Sequence, residues 1–379
     1  MIDTKVWVGV QSFLDNYIRP CQDDQVVILY TSDSYESAAW VSAALELREI
    51  AVKRVWMAPL RDEKFQERLV EALPSLSGLT RLVILSFERD TMSHTRTLAT
   101  AISGYGSQCS VFRTISASSS FFSEALLVTP EEISARNTAL LERLMPAQHL
   151  HITTRGGSNL NVALDAKHRW ISNRGTARQK STVILPAGEV ATFPASISGV
   201  FVADFAFNVN AITDRDARLS NYPVKVWIEN GRAVRYQCDD EATTQFLEEC
   251  FHTHCAFNVG ELGFGTNFGI DKAIPMNSHI NERRPGIHIG FGQHNQDASI
   301  VCYQCSIHLD LIAEGGMIWI DGDPMPIDLE NVDPSSWHHP ESTHDEDVFS
   351  PEADELDIDD CCGILTSEGL HMFTSSQAS

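Results

Sequence analysis

The pattern of the sequence changes near residue 149, and this change constrains the fold more than any other feature. Before it, short apolar runs such as residues 26–30 alternate with amphipathic segments such as residues 35–50. This alternation is typical of a parallel sheet whose strands are joined by crossover helices. The sequence therefore predicts an α/β domain with a parallel sheet over residues 1–147.

The predicted elements of this domain follow one another with clear start and stop signals. Thr129-Pro130-Glu131-Glu132 combines a cap residue, a first-turn proline and early acids, which is typical of a helix N-terminus. No GxGxxG or GxxxxGK[ST] motif follows any strand, so the sequence gives no support for a nucleotide site. The predicted strands are 26–30, 53–57, 82–85 and 110–115, and the predicted helices are 35–50, 62–76, 91–102 and 129 to just before Pro146.

From residue 149 onward, short β-like runs follow one another and are punctuated by Gly, Pro and Asn. One helix, predicted over residues 241–250, interrupts them. This pattern predicts an α+β, β-rich domain over residues 148–325. Residues 326–379 are dominated by Pro, Ser, Asp and Glu, which predicts an acidic, disordered or loosely docked tail.

Charge and cysteine usage limit the partners and the compartment. The net charge of −23 argues against nucleic acid or an anionic membrane as partner. The N-terminal sequence does not have the pattern of a signal peptide, and no apolar run is long enough to cross a bilayer. The nine scattered cysteines form no disulfide framework, which favours a reduced, cytoplasmic location. Cys302 and Cys305 form a single CxxC pair, which we expect to be strand residues leading into His308.

His308 and Asp310 stand two residues apart in SIHLDLIAEGGMIWIDGD, a segment that otherwise has the pattern of a buried strand. Side chains alternate between the faces of a strand, so both point the same way. An imidazole and a carboxylate on one face can bind one metal ion. A solvated strand face, or a His–Asp hydrogen bond inside a core, would explain the pair equally simply.

Two further segments place polar side chains beside glycines. Glu261 lies in GELGFGTN, where an apolar, glycine-rich surrounding makes an unpaired carboxylate costly. Glu282 and His288 lie in NERRPGIHIGFG, although a lone histidine is often a satisfied core residue. With His308 and Asp310, these residues could form a two-metal site with a bridging carboxylate, or a single-iron site with two His and one carboxylate.

Several segments, in this order, carry a resemblance to a known family: LHITTRGGSNLNVAL, LPAGEVATFPASISGVFVAD, GELGFGTNFG, NERRPGIHIGFGQHN and IHLDLIAEGGMIWIDG. The chain resembles the metallo-aminopeptidases of the aminopeptidase T/S family, which include bacterial proteins similar to leucyl aminopeptidases. It is more distantly similar to 2,5-dihydroxypyridine 5,6-dioxygenase, an iron enzyme that shares the fold. The resemblance covers roughly residues 149–322.

The resemblance to the peptidases implies a set of metal ligands. Matched segment by segment, they are Glu261, Glu282, His288, His308 and Asp310. The interval between Glu282 and His288 is one residue shorter than in the family. The dioxygenase keeps the HxD pair but has a histidine in place of Glu261, so the residues here resemble those of the hydrolases more closely.

Two other residues match catalytic candidates. Glu189, in PAGEV, corresponds to a family position near the active site, and Arg155, in TTRGG, could hold a substrate or ligand carboxylate. Either could instead be an exposed residue at a turn.

Three functional hypotheses follow. The leading one is a cytoplasmic, homo-oligomeric metalloprotease of the aminopeptidase kind that hydrolyses small peptides or amides with one or two Zn, Mn or Co ions. The second is a mononuclear iron dioxygenase acting on an aromatic or pyridine ring. The third is a metal-free member that serves as a binding or processing partner in a biosynthetic pathway.

Overall fold

A computed structural model describes residues 2–176, 182–297, 299–340 and 362–372 of the chain. Seven α-helices lie in these ranges: α1 Thr4–Ser12, α2 Tyr35–Glu46, α3 Phe65–Ala72, α4 Thr95–Ile102, α5 Pro130–Leu144, α6 Glu241–Cys250 and α7 His279–Arg283. Short π-helices span Phe13–Ile18 and Phe121–Ala125, and 3-10 helices span Ser32–Ser34, Ser103–Gln108, His254–Phe257 and Leu329–Asn331.

The strands are numbered in chain order. They are β1 Asp24–Tyr30, β2 Val52–Trp56, β3 Arg81–Phe87, β4 Cys109–Thr114, β5 His149–Thr153, β6 Asn159–Ala163, β7 Trp170–Asn173, β8 Thr182–Leu185, β9 Glu189–Thr192, β10 Ser196–Ala203, β11 Ala206–Val209, β12 Ala211–Ile212, β13 Val224–Glu229, β14 Arg232–Gln237, β15 Val259–Gly265, β16 Gly286–Gly292, β17 His308–Glu314, β18 Met317–Ile320, β19 Ile327–Asp328, β20 Gly363–Thr366 and β21 Gly369–Met372.

The N-terminal sheet is parallel and has the order β2-β1-β3-β4-β8. Its central strands are buried on both faces, as apolar runs such as Val26–Leu29 require. The predicted parallel sheet with helices is therefore confirmed. Its last strand, β8, comes from residues 182–185, so this part of the range predicted for the second domain completes the N-terminal sheet.

Two antiparallel sheets make up most of the rest of the described chain, as the β-rich pattern predicts. A seven-stranded sheet has the order β14-β13-β10-β6-β5-β18-β19, and a six-stranded sheet has the order β11-β17-β16-β15-β9-β7. Apolar side chains of the two sheets, such as Ile152 and Val226 from one and Leu262 and Ile289 from the other, form one core. The six-stranded sheet therefore buries one face against its neighbour, and its other face is free to hold polar groups.

Part of the predicted tail is ordered. β20 pairs with β12 in parallel and with β21 in antiparallel fashion, so residues 363–372 complete a three-stranded sheet. The expectation of a disordered tail is wrong for this segment, because the apolar residues Leu365 and Leu370 pack against the core. Residues 341–361 and 373–379 lie outside the described ranges.

The cysteines depart from the expectation as well. Cys255 and Cys305 form a disulfide, and Cys302 and Cys305 lie in the connection before β17 rather than in a strand. Fifty positions separate the paired cysteines, so only tertiary contact reveals the pairing. Within the described ranges, no helix combines the length and hydropathy that a membrane crossing requires.

Candidate metal centre

One face of the six-stranded sheet brings the candidate side chains together. Glu261 lies opposite Gly290 across the β15–β16 pair, and Gly290 lies opposite Asp310 across the β16–β17 pair. Since facing residues share a side of the sheet, their side chains converge. His288 and His308 lie on the same face at the intervals of two that the sequence pattern predicts.

Glycines make room for this cluster. A methyl group at Gly263 would lie 1.9 Å from Nε2 of His288, and one at Gly290 would lie 2.8 Å from Cε1 of His308 and 3.0 Å from Oδ1 of Asp310. The glycine-rich segments therefore leave on this face a space that the imidazoles and carboxylates occupy.

The cluster contains two groups of potential ligands that share one carboxylate. Glu189, Glu261 and His288 form the first group, and Glu261, His308 and Asp310 form the second. Within each group the ligand atoms lie within 4.8 Å of one another. All five side chains are buried, with at most 5% exposure. A carboxylate common to two such groups can bridge two cations.

Neighbouring groups orient these ligands. Nδ1 of His308 lies 3.1 Å from the carbonyl oxygen of Gln293, which fixes the ring so that Nε2 faces Asp310. Asn295 donates to Oε2 of Glu261 over 2.8 Å. These contacts hold two of the ligands from outside the cluster.

Two buried atoms have unused hydrogen-bonding capacity. Among the described residues, neither Oδ1 of Asp310, which lies 3.1 Å from Nε2 of His308, nor Nδ1 of His288 has a hydrogen-bond partner. Because an unsatisfied buried carboxylate oxygen is costly, Asp310 is suited to bind a cation. The oxygen and nitrogen donors, with no thiolate among them, could hold a divalent metal ion.

Glu282 takes a different position from the one expected for a ligand. It lies outside both groups, receives a hydrogen bond from Asn208 over 2.8 Å and interacts with Asp310. Burial and the charges of Asp310 and Glu189 raise the pKa of Glu282 well above its ordinary value. The environment of Glu282 therefore favours its protonated form.

Arg283 and Glu189 form a buried ion pair beside the cluster. The Arg283 guanidinium contacts Glu189, lies 2.9 Å from Glu282 and donates through Nε to the carbonyl oxygen of Pro186. Burial opposes ionisation of Glu189, but Arg283 and His288 outweigh it and lower the pKa of Glu189 to about 2. The Glu189 carboxylate is thus ionised at neutral pH.

Both histidines hold protons in the metal-free protein. Burial disfavours their charged forms, yet the carboxylates around them prevail and raise the pKa of His308 to about 10 and that of His288 well above its usual value. His279, at the start of α7, behaves oppositely. Burial and the Arg283 charge lower its pKa to about 3, so it is neutral.

Arg155 is not brought to this cluster. Its exposed guanidinium forms a salt bridge of 2.9 Å with Glu330. Sequence reasoning did not single out Arg283, Asn208, Asn295 or His279. Arg283 follows Glu282 directly, and this position beside a candidate ligand is the one sequence feature that could have indicated its role.

Two solved structures share the fold of this chain. Over 89% of this chain and 98% of the other, the structure is similar to 2,5-dihydroxypyridine dioxygenase from Pseudomonas putida KT2440, with a TM-score of 0.58 and 13% identity. It is also similar to wild-type AmpT from Thermus thermophilus, over 86% of this chain and 98% of that one, with a TM-score of 0.51 and 13% identity. At this identity the comparisons establish a shared fold.

A more particular match comes from the sequence. The family model described as crocagin biosynthetic protein CgnE/B matches residues 194–311, a span that includes Glu261, Glu282, His288, His308 and Asp310. Comparison with curated proteins gives no match.

Proposed function

We propose that this chain is a metal-dependent hydrolase, similar to an aminopeptidase, that acts on small peptides or amides. The observation that carries the proposal is the sharing of Glu261 between two buried groups of ligands. Paired cations bridged by a carboxylate are typical of hydrolases that activate water, and when bound they lower its pKa and polarise a carbonyl.

Each residue has a role in this proposal. Glu189 and His288 would hold one ion, His308 and Asp310 the other, and Glu261 both. With a pKa near 2 in the metal-free protein, Glu189 is better suited to be a ligand than a proton carrier, because a general base works best with a pKa near the operating pH. Glu282 would support Asp310 through their hydrogen bond and is not assigned as a ligand.

The similarity to AmpT does not by itself favour the hydrolase over the dioxygenase. The residue types of the ligand groups decide between them. Each of the two groups contains one histidine and two carboxylates. An iron oxygenase typically uses two histidines and one carboxylate. Glu261 therefore favours the hydrolase, although the fold is common to both enzymes.

A metal-free binding or processing partner in a biosynthetic pathway is the second candidate. The partial match to a crocagin biosynthetic family supports it. So does the internal pairing of charges, since Arg283, His288 and His308 lie against the carboxylates of the cluster. Such a cluster can be a self-contained buried ion network.

Elemental analysis of protein purified without chelator tests the proposal. Two divalent ions per chain, of which His308→Ala/Asp310→Ala loses the one that these residues would hold, would support the hydrolase, and dipeptide and amino-acid amide hydrolysis should be lost in that variant. One iron per chain, with oxygen uptake on hydroxylated pyridines, would support the dioxygenase. A chain that retains no metal and gains no thermal stability from zinc, manganese or cobalt would refute the hydrolase and favour the binding partner.

A further inference from the structure

The Cys255–Cys305 disulfide lies next to both strands that carry the second ligand group. Cys255 is in the 3-10 helix His254–Phe257, directly before β15 and six residues before Glu261. Cys305 lies three residues before His308, the first residue of β17. The covalent link therefore joins the entry points of two strands that are separated by β16 in the sheet.

The connection between β16 and β17 also supplies the contacts that orient the ligands. We call its described residues, 293–297 and 299–307, the site loop. The Gln293 carbonyl oxygen accepts from His308, and Asn295 donates to Glu261. One end of the site loop thus holds one ligand from each of the two strands.

Noncovalent contacts also hold the far end of the site loop, where Ile307 is buried in the core and its carbonyl oxygen accepts from the Gln293 amide. The Tyr303 hydroxyl donates to the Gly292 carbonyl, and His294 bonds to the Tyr303 carbonyl, both within the connection or its preceding strand. The Ser306 carbonyl accepts from Asn210. Near Cys305, the disulfide is therefore the covalent anchor of a segment whose neighbours Cys302, Gln304 and Ser306 are exposed.

We propose that the Cys255–Cys305 disulfide is a redox-sensitive positioning device that orders the site loop and thereby holds Glu261 and His308 in place. A dithiol reductant opens it. One thiolate attacks a sulfur of the disulfide to form a mixed disulfide, and the second thiol of the reductant displaces the cysteine, giving two cysteine thiols and an oxidised dithiol. Cys255 and Cys305 are both partly exposed, so a reductant can reach them.

Reduction should weaken metal binding, and this part of the inference rests on the proposed function. Loss of the groups that orient metal ligands typically lowers affinity about 10- to 100-fold. The loop ordering itself does not depend on any ion. It can be measured whether or not the chain binds metal.

The test combines two readouts on the full chain. Hydrogen–deuterium exchange of peptides covering the site loop is compared between wild type, Cys255→Ser/Cys305→Ser and Cys302→Ser, and zinc and manganese affinities are measured by competition with a chromophoric chelator. We expect faster exchange in the double variant and unchanged exchange in Cys302→Ser. We also expect a roughly tenfold or greater loss of zinc affinity, in the double variant only.

The outcomes separate the two proposals. Equal site-loop exchange in wild type and double variant would overturn the positioning role, even if zinc binds tightly. Faster exchange in the double variant of a chain that binds no ion would uphold it while the hydrolase fails. Should the double variant not fold, wild type treated with a phosphine reductant provides the same comparison, and unaltered exchange after complete reduction would again contradict the inference.

Discussion

Gly263 lies directly opposite His288 across the β15–β16 pair, and the imidazole occupies the space where any other residue would place its Cβ atom. The distance of 1.9 Å from that position to Nε2 of His288 is far below van der Waals contact. A methyl group at position 263 must therefore displace the ring from Glu189 and Glu261.

Gly263→Ala should remove one of the two ions. The backbone of Gly263 is in an ordinary conformation, so the effect is steric and falls on His288. We expect roughly a 100-fold or greater loss of affinity for the ion that Glu189 and His288 hold, as for loss of a ligand. Isothermal titration with zinc measures it, and Gly104→Ala, where the added methyl meets nothing within 4 Å, is the control.

The two ligand groups predict a stoichiometry for each variant. Glu261→Gln should abolish binding of both ions, because this carboxylate belongs to both groups. His288→Ala and Asp310→Asn should each leave one ion, whereas Glu282→Gln should keep two. Metal content after dialysis checks this, and loss of an ion in Glu282→Gln would restore Glu282 to the ligand set.

Arg283 should be essential for stability. Replacing it with Met leaves the buried Glu189 carboxylate without its cation and removes the contact with Glu282, and breaking such a pair costs about 3–5 kcal/mol. Urea unfolding of Arg283→Met measures the loss. Arg61→Ala, which removes an exposed pair with Glu63, should change the free energy of unfolding by at most about 0.5 kcal/mol. Similar values for both variants would contradict the buried network.

The stability of the metal-free protein should decrease as the pH rises. Burial disfavours the His308 imidazolium, but the Asp310 carboxylate outweighs this and raises its pKa from 6.5 to about 10. Because the folded state binds this proton more tightly, the stabilisation is complete below pH 6.5 and is lost as the pH approaches 10.

We expect His308 to contribute a slope of at most about 1.4 kcal/mol per pH unit between these values. Urea unfolding of chelator-treated protein from pH 6.5 to 9 measures it. His308→Gln should show a shallower decline, since the contribution of the His308 proton is then absent. Parallel curves for wild type and variant would rule out a raised pKa for His308.

Much of the fold follows from local patterns. The alternation of apolar runs and helices predicts that β1 to β4 lie parallel in one sheet. The alternation of side chains along a strand places His308 and Asp310 on one face. These features depend on residues close in sequence. The addition of β8 to the N-terminal sheet depends on pairing with Val111–Thr114, about 70 positions earlier, and no local pattern reveals it.

The site is only partly predictable for the same reason. Glu261, His288, His308 and Asp310 carry signals because charged groups interrupt apolar, glycine-rich strands. Asn295 orients Glu261, and Asn208 donates to Glu282, from positions whose local sequence is ordinary. Cys255 pairs with Cys305 only through the tertiary fold. The choice between Glu189 and Glu282 as the third member of the group with Glu261 and His288 depends on the tertiary arrangement, which no local pattern reveals.

The path of the chain through β8 also bears on how the molecule can be divided. Three residues, Pro186 to Gly188, separate the final strand of the N-terminal sheet from β9, which begins with Glu189. A fragment that stops at residue 147 would lose β8 and expose the β4 edge, with Val111 and Phe112, to intermolecular pairing. Neither half of this protein should be expected to stay soluble when produced alone. If the two halves are co-expressed, β8 must first pair with β4 of the other half before Glu189 can take its place in the cluster.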